Sequence, residues 1–164
     1  MTKSKFLLLL GPSGVGKSTI IKELRQMDSR FVYISPDMTR PLRDGEMDKV
    51  SISDAVMDAK AAADEYVVIN TLFNGIRYAT PRRPIVTALD CGNFPVLDWP
   101  VAKMDIMTKA FQGRLCVVYV APPSLDALAE RIGRDSRDTD GSRLRSASEE
   151  LKAFWAGEYA NLYD

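Results

Sequence analysis

Gly11-Pro12-Ser13-Gly14-Val15-Gly16-Lys17-Ser18-Thr19 lies between the apolar run Phe6–Leu10 and a segment where Ile20, Ile21 and Leu24 recur at helical spacing. Residues 11–18 match G-x-x-x-x-G-K-[ST] in full, with a strand pattern before them and a helix pattern after. Each residue type has a physical reason. Gly11, Gly14 and Gly16 let the backbone turn with its N–H groups pointing inward around phosphate oxygens. The helix that opens near Lys17 presents its positive end to the same anion. Lys17 supplies a mobile cation for β- and γ-phosphates, and Ser18 offers a hydroxyl to Mg²⁺. The stretch from Gly11 to Thr19 therefore reads as a cradle for a nucleoside triphosphate with magnesium.

Working outward, Phe6–Leu10 is continuously apolar rather than alternating, which predicts a strand covered on both faces, as in a parallel sheet. Further strands are expected at Phe31–Ser35, within Glu65–Thr71, at Phe94–Trp99 and at Leu115–Val120. Between them, helices are predicted over Ser53–Asp64 with Asp54 as a cap, after Pro81 to Asp90, over Asp105–Phe111, and from Pro122-Pro123-Ser124 through Ile132. A last helix is predicted over Ser146–Tyr163, with Ala147, Leu151, Phe154 and Leu162 on one stripe. Strands alternating with helices specify an α/β fold: three layers around a central, mostly parallel sheet. Two segments interrupt the alternation. Thr39–Asp48 is polar with Pro41 and Gly45, and Asn74-Gly75 is a strong turn signal that would return Arg77–Ala79 as a hairpin partner. Both point to a small inserted lobe.

Composition narrows the chemistry. The chain has 164 residues, 46% of them apolar, enough for one domain with a real core. Twenty-two basic residues balance twenty-two acidic ones, so no global field draws the chain to nucleic acid or a membrane. With no histidine, serine–histidine triads, histidine proton shuttles and most zinc sites are excluded. Cys91 and Cys116 stand in or beside apolar runs and are expected as buried thiols rather than a disulfide. Five apolar residues at Phe6–Leu10 are too short for a signal core or a membrane span. A reduced, cytoplasmic setting is the resulting expectation.

Three segments bear on the acceptor. Arg40 and Arg43 stand three apart in Thr39-Arg40-Pro41-Leu42-Arg43-Asp44-Gly45-Glu46, where two guanidiniums can fork onto one phosphate or simply form a surface charge cluster. Tyr78 and Thr80 follow the Gly75 turn. Arg131, Arg134, Arg137, Arg143 and Arg145, interleaved with Asp135, Asp138, Asp140 and Gly141, read as a lid that closes arginines over a transferring phosphoryl group, or as a solvated salt-bridge loop. Phe94-Pro95-Val96-Leu97-Asp98 is a strand ending in a carboxylate. Asp98 is placed to face magnesium through water, to face the acceptor base, or to cap a loop.

In this order, the segments resemble the guanylate kinase family across essentially the whole chain. The resemblance rests on the glycine-rich loop, T-R-x-x-R-x-G-E at 39–46, G-x-x-Y-[GA]-T-P at 75–81, the V-L-D strand end, Ala121-Pro122-Pro123-Ser124, and Glu130-Arg131 with Arg143-Leu144 around the lid. It implies the reaction ATP + GMP to ADP + GDP with Mg²⁺. It further implies that Arg40, Arg43, Tyr78 and Thr80, with Ser35 and Asp98, contact GMP. Lys17, Arg131, Arg134 and Arg143 would stabilise the moving phosphoryl group. The nucleoside-monophosphate lobe would span roughly residues 36–80 and the lid roughly 131–145 of one domain. No general base is required, because the GMP phosphate is already an anionic nucleophile. The chain also departs from the family pattern. Pro36 stands where a serine is usual, with Ser35 one place earlier. Lys49-Val50 stands in a shortened loop that lacks the family's tyrosine. Ile69 or Asn70 replaces a glutamate, and Asp98-Trp99-Pro100 loses one acid. A P-loop kinase of another phosphorylated acceptor, and a non-catalytic protein-binding module, are the other readings compatible with this scaffold.

Overall fold

A computed structural model of the chain describes residues 4–42, 46, 48–72, 75–134, 138 and 140–163. The apolar run forms β1 (Phe6–Leu10), followed by the loop and α1 (Lys17–Met27). Next comes β2 (Phe31–Tyr33), then β3 (Asp37–Met38), β4 (Val50–Ser51), α2 (Asp54–Ala62), β5 (Tyr66–Thr71) and β6 (Arg77–Pro81). The chain continues through α3 (Arg82–Asp90), β7 (Phe94–Asp98), a 3₁₀ turn at Val101–Lys103, α4 (Met104–Ala110), β8 (Leu115–Tyr119), α5 (Leu125–Gly133) and α6 (Ser142–Trp155).

The central sheet has the order β2-β7-β1-β8, and every pairing in it is parallel. This accounts for the unbroken run of leucines. Phe6, Leu8 and Leu10 pack with Ile85, Leu89, Met104 and Met107 on the α3–α4 side. Leu9 packs with Ile21 and Val96 on the α1 side. Both faces of β1 are covered, so both parities of the strand must be apolar. Fully burying one such leucine contributes about 1.5–3 kcal/mol. The register Leu9↔Asp98 and Leu10↔Tyr119 brings the carboxyl ends of β1, β7 and β8 together around Gly11, the crevice in which parallel α/β sheets bind ligands.

Residues 37–81 build a second sheet, β4-β3-β6-β5, in which β5 and β6 form the expected antiparallel hairpin. Gly75 has φ +78°, the left-handed conformation that its turn requires; Asn74 lies outside the described residues. Met57 of α2 is fully buried against Tyr66 and Ala79 and seals this sheet from below. Beside it, the Asp37 carboxylate accepts from Tyr66 Oη at 2.6 Å and Lys60 Nζ at 2.7 Å, so a buried charge is satisfied twice.

Several local expectations are corrected. Ser53, not Asp54, caps α2: its side chain accepts from Val56 N, whereas Asp54 pairs with Arg77 at 3.1 Å. The final helix begins at Ser142 rather than Ser146, because the Asp138 carboxylate accepts from the Arg143 and Leu144 amides at 3.0 and 3.1 Å and caps the first turn. It ends at Trp155, two residues before Gly157 at φ +80°, and Tyr159, Leu162 and Tyr163 fold back onto the core as turns. Cys91 is exposed where α3 ends rather than buried, and Cys116 is half-buried on β8, an outermost strand of its sheet; neither forms a disulfide. Among the described residues no helix is long and apolar enough to cross a membrane.

Candidate active site

The loop from Gly11 to Thr19 is shaped by contacts a side chain would destroy. Gly11 has φ +126°, and a Cβ there would lie 2.2 Å from the Val120 carbonyl oxygen. Gly16 precedes α1 with φ +104°, so the first helical amides open toward the loop. Val15 turns the other way, packing among Leu128, Ile132, Ala147 and Leu151. It anchors the loop to α5 and α6, and only its backbone faces the cradle. Gly11 and Pro12 are buried, whereas Ser18 and Thr19 are exposed.

Lys17 folds back across this loop, donating to the Gly11 carbonyl at 2.5 Å and the Pro12 carbonyl at 3.0 Å. Burial holds its pKa below the usual lysine value, opposed by the Asp98 and Glu150 carboxylates. The half-buried Glu150 has its own pKa raised by burial, opposed by Lys17 and by the Tyr119 hydroxyl, which donates to it at 3.3 Å.

Ser13, Lys17, Ser18, Asp98, Arg131 and Arg143 line one cavity of about 410 Å³. Two of the lid arginines are tied to the loop: Arg131 Nη1 donates to the Val15 carbonyl at 3.2 Å and Arg143 Nε to Ser13 Oγ at 2.9 Å. Arg134 sits apart, one turn further out, paired with Glu130 on the surface. Arg137 lies outside the described residues. Asp98 reaches the cavity because β7 pairs beside β1, placing it on the phosphate side of the crevice.

Of the residues expected to contact the acceptor, Tyr78 and Thr80 lie on β6 of the second sheet and Arg40 follows β3. Arg40 is buried and forked onto Glu46, with Nη1 and Nη2 each 2.7 Å from a carboxylate oxygen, while its Nε donates to Tyr78 Oη at 2.8 Å. This pairing holds the guanidinium charged. Thr80, two residues along β6 from Tyr78, is buried. Ser35 Oγ donates to the Asp48 carbonyl and ties down the shortened loop. Arg43 lies outside the described residues. Asn70 on β5, which with Ile69 is one of the two positions where the family has a glutamate, accepts from Lys103 Nζ of the 3₁₀ turn after β7.

Magnesium fits the donors present. Ser18 and Asp98 bring a hydroxyl and a carboxylate to one cavity, hard oxygen donors of the kind Mg²⁺ takes while keeping waters and substrate phosphates. Among the described residues no group of three or more His, Cys, Asp or Glu could hold a metal ion.

Glu150 escaped the sequence reading. Its signal is the spacing Arg143, Ala147, Glu150, one helical face, and these three residues line a second cavity of about 310 Å³ with Lys17 and Asp98.

Comparison with known proteins agrees with this geometry. The family model for guanylate kinase matches residues 3–162. Guanylate kinase of Thermobifida fusca is 37% identical over 160 residues, covering 91% of this chain and 78% of that protein. Guanylate kinase of Nostoc sp. is 32% identical over 155 residues, with 91% and 77% covered. In fold, the chain matches the crystal structure of guanylate kinase from Anaplasma phagocytophilum with a TM-score of 0.69 and 20% identity, covering 100% of this chain and 76% of that one. With nearly its whole length matched, this chain belongs to the guanylate kinase family.

Proposed function

We propose that the chain transfers the γ-phosphoryl group of ATP to the phosphate of GMP, yielding ADP and GDP. The observation that carries this reading is the single cavity in which Lys17, Arg131 and Arg143 converge above the glycine-rich loop. Arg40 and Tyr78 are paired on the sheet inserted between β2 and α3. The loop amides and Lys17 hold the donor's β- and γ-phosphates. Residues 36–80 serve as the acceptor lobe, with Arg40, Arg43, Tyr78, Thr80 and Ser35 as its contacts. The segment 131–145 serves as the lid.

Catalysis here is positioning and charge neutralisation. An acceptor phosphate oxygen bonds to the γ-phosphorus as the bridging oxygen leaves on ADP. No proton need move, so a histidine-free chain loses nothing. Arg131 and Arg143 meet charge developing on the transferring group, and Arg134 joins them when the lid closes. Mg²⁺, when bound, screens the β- and γ-oxygens from one another; Ser18 and Asp98 are the residues that would hold it.

The test is ADP release from ATP–Mg²⁺ with GMP, dGMP, AMP, UMP and CMP offered in turn. Turnover with the guanine nucleotides is expected. ATP binding without turnover on any of the five would overturn the reading.

A further inference from the structure

We propose that Lys49 supplies a cation from the acceptor side to the phosphoryl group in transit. This rests on the phosphoryl-transfer reading above. Lys49 lines the same cavity as Lys17, Ser18, Arg131 and Arg143, although it belongs to the segment that leads into β4 of the second sheet. It therefore reaches the cavity from the second sheet rather than from the glycine-rich loop, α5 or α6.

Two contacts aim it there. The Asp48 carbonyl is held by the Ser35 hydroxyl, which pins the backbone next to Lys49. Lys49 Nζ lies 3.4 Å from Glu46 Oε1, the oxygen that also accepts from Arg40 Nη2. Glu46 thus bridges the two cations. Of the five N–H donors of a guanidinium, at least four on Arg40 are engaged with Tyr78, Pro41 and Glu46. Arg40 keeps at most one N–H for an acceptor phosphate, whereas the Lys49 side chain is about one-third exposed and holds Glu46 through one long contact. An ammonium on a flexible stem can leave that contact for a phosphate oxygen at small cost. Lys49 forms and breaks no covalent bond. It offsets negative charge as the donor P–O bond breaks toward ADP and the acceptor oxygen bonds to phosphorus.

Lys49→Met and Lys49→Arg, assayed as the full chain with ATP–Mg²⁺ and GMP, test this. Lys49→Met should lower kcat roughly 10²-fold, with the ATP KM within about twofold of native. Lys49→Arg should recover at least about a tenth of the native rate, since charge is the property needed. Native turnover combined with unchanged kcat and acceptor KM in Lys49→Met overturns the proposal and leaves the function standing. A lowered Tm in Lys49→Met with no rescue by Lys49→Arg also overturns it, because Lys49 would then only brace Glu46. A native chain silent on all five nucleotides overturns the function, and this proposal with it.

Discussion

Arg143 Nε donates to Ser13 Oγ at 2.9 Å, joining the first turn of α6 to the glycine-rich loop across 130 positions of sequence. In the proposed reading, this is the arginine that ends the lid, already bonded to the glycine-rich loop. Its backbone amide is held separately by Asp138, so the side chain can be removed without unpinning the helix. Arg143→Ala is expected to lower kcat roughly 10²–10³-fold, the usual loss on deleting one preorganised donor to a developing charge. Its Tm should move by no more than about 2–4 °C, the shift of about 1 kcal/mol at this size. Steady-state kinetics and a melting curve read both; an intact kcat would remove Arg143 from the transfer step.

Lys17→Met should abolish turnover while leaving Tm at or above the native value. Burial disfavours the ammonium, so the loop loses a desolvated charge as it loses its phosphate ligand. Function and stability pull opposite ways at this position. A large fall in Tm would show that Lys17 braces the loop through its bonds to the Gly11 and Pro12 carbonyls.

Arg40 and Glu46 form a forked pair with side chains 7% and 19% exposed. Removing one member strands a buried charge, so Arg40→Met should cost about 3 kcal/mol, and the acceptor KM should rise far more than the ATP KM. Replacing both residues with Met should restore much of the Tm but none of the acceptor binding. Recovered binding in the double variant would mean that Arg40 serves the fold alone.

Glu150 gives the stability curve a signed pH dependence. Its folded-state pKa is raised above the ordinary 4.5 because burial penalises the carboxylate. The folded chain therefore holds this proton where the unfolded chain has released it. The contribution is fully present below 4.5 and is lost as pH rises through the raised value. Thermal unfolding of the native chain and Glu150→Gln between pH 4 and 8 should show the native-minus-variant difference falling with pH. A difference that rises would mean that attraction to Lys17 outweighs burial.

The strand–loop–helix unit at the N-terminus was legible because local and global demands coincide there: five apolar residues must be covered twice, and the glycines that follow admit no other backbone. The acceptor sheet was legible only in part. β3 and β4 are two residues each, held by the pairings Asp37↔Ala79 and Asp37↔Val50, and so short a strand has no periodicity of its own. Asp37 stood out even less, since a carboxylate in a polar stretch gives no sign that Tyr66 and Lys60 will enclose it. Glu150 was hidden by one boundary. A helix begun at Ser146 leaves Arg143 in a loop, and the shared face of the two residues shows only once Asp138 is seen to cap the helix four residues earlier. Lys49 was visible as a substitution in the loop, but its cavity is made by tertiary approach.

Trp99 follows Asp98 directly, is 4% exposed, and donates from its indole nitrogen to the Lys103 carbonyl at 2.9 Å; Trp155, at the end of α6, is 52% exposed. With two tryptophans in the chain, the intrinsic emission divides between an indole shielded at the cavity wall beside Lys17 and Glu150 and one open to aqueous quenchers. Iodide should extinguish the second and spare the first. The protein thus carries its own optical gauge of cavity occupancy, readable without a label.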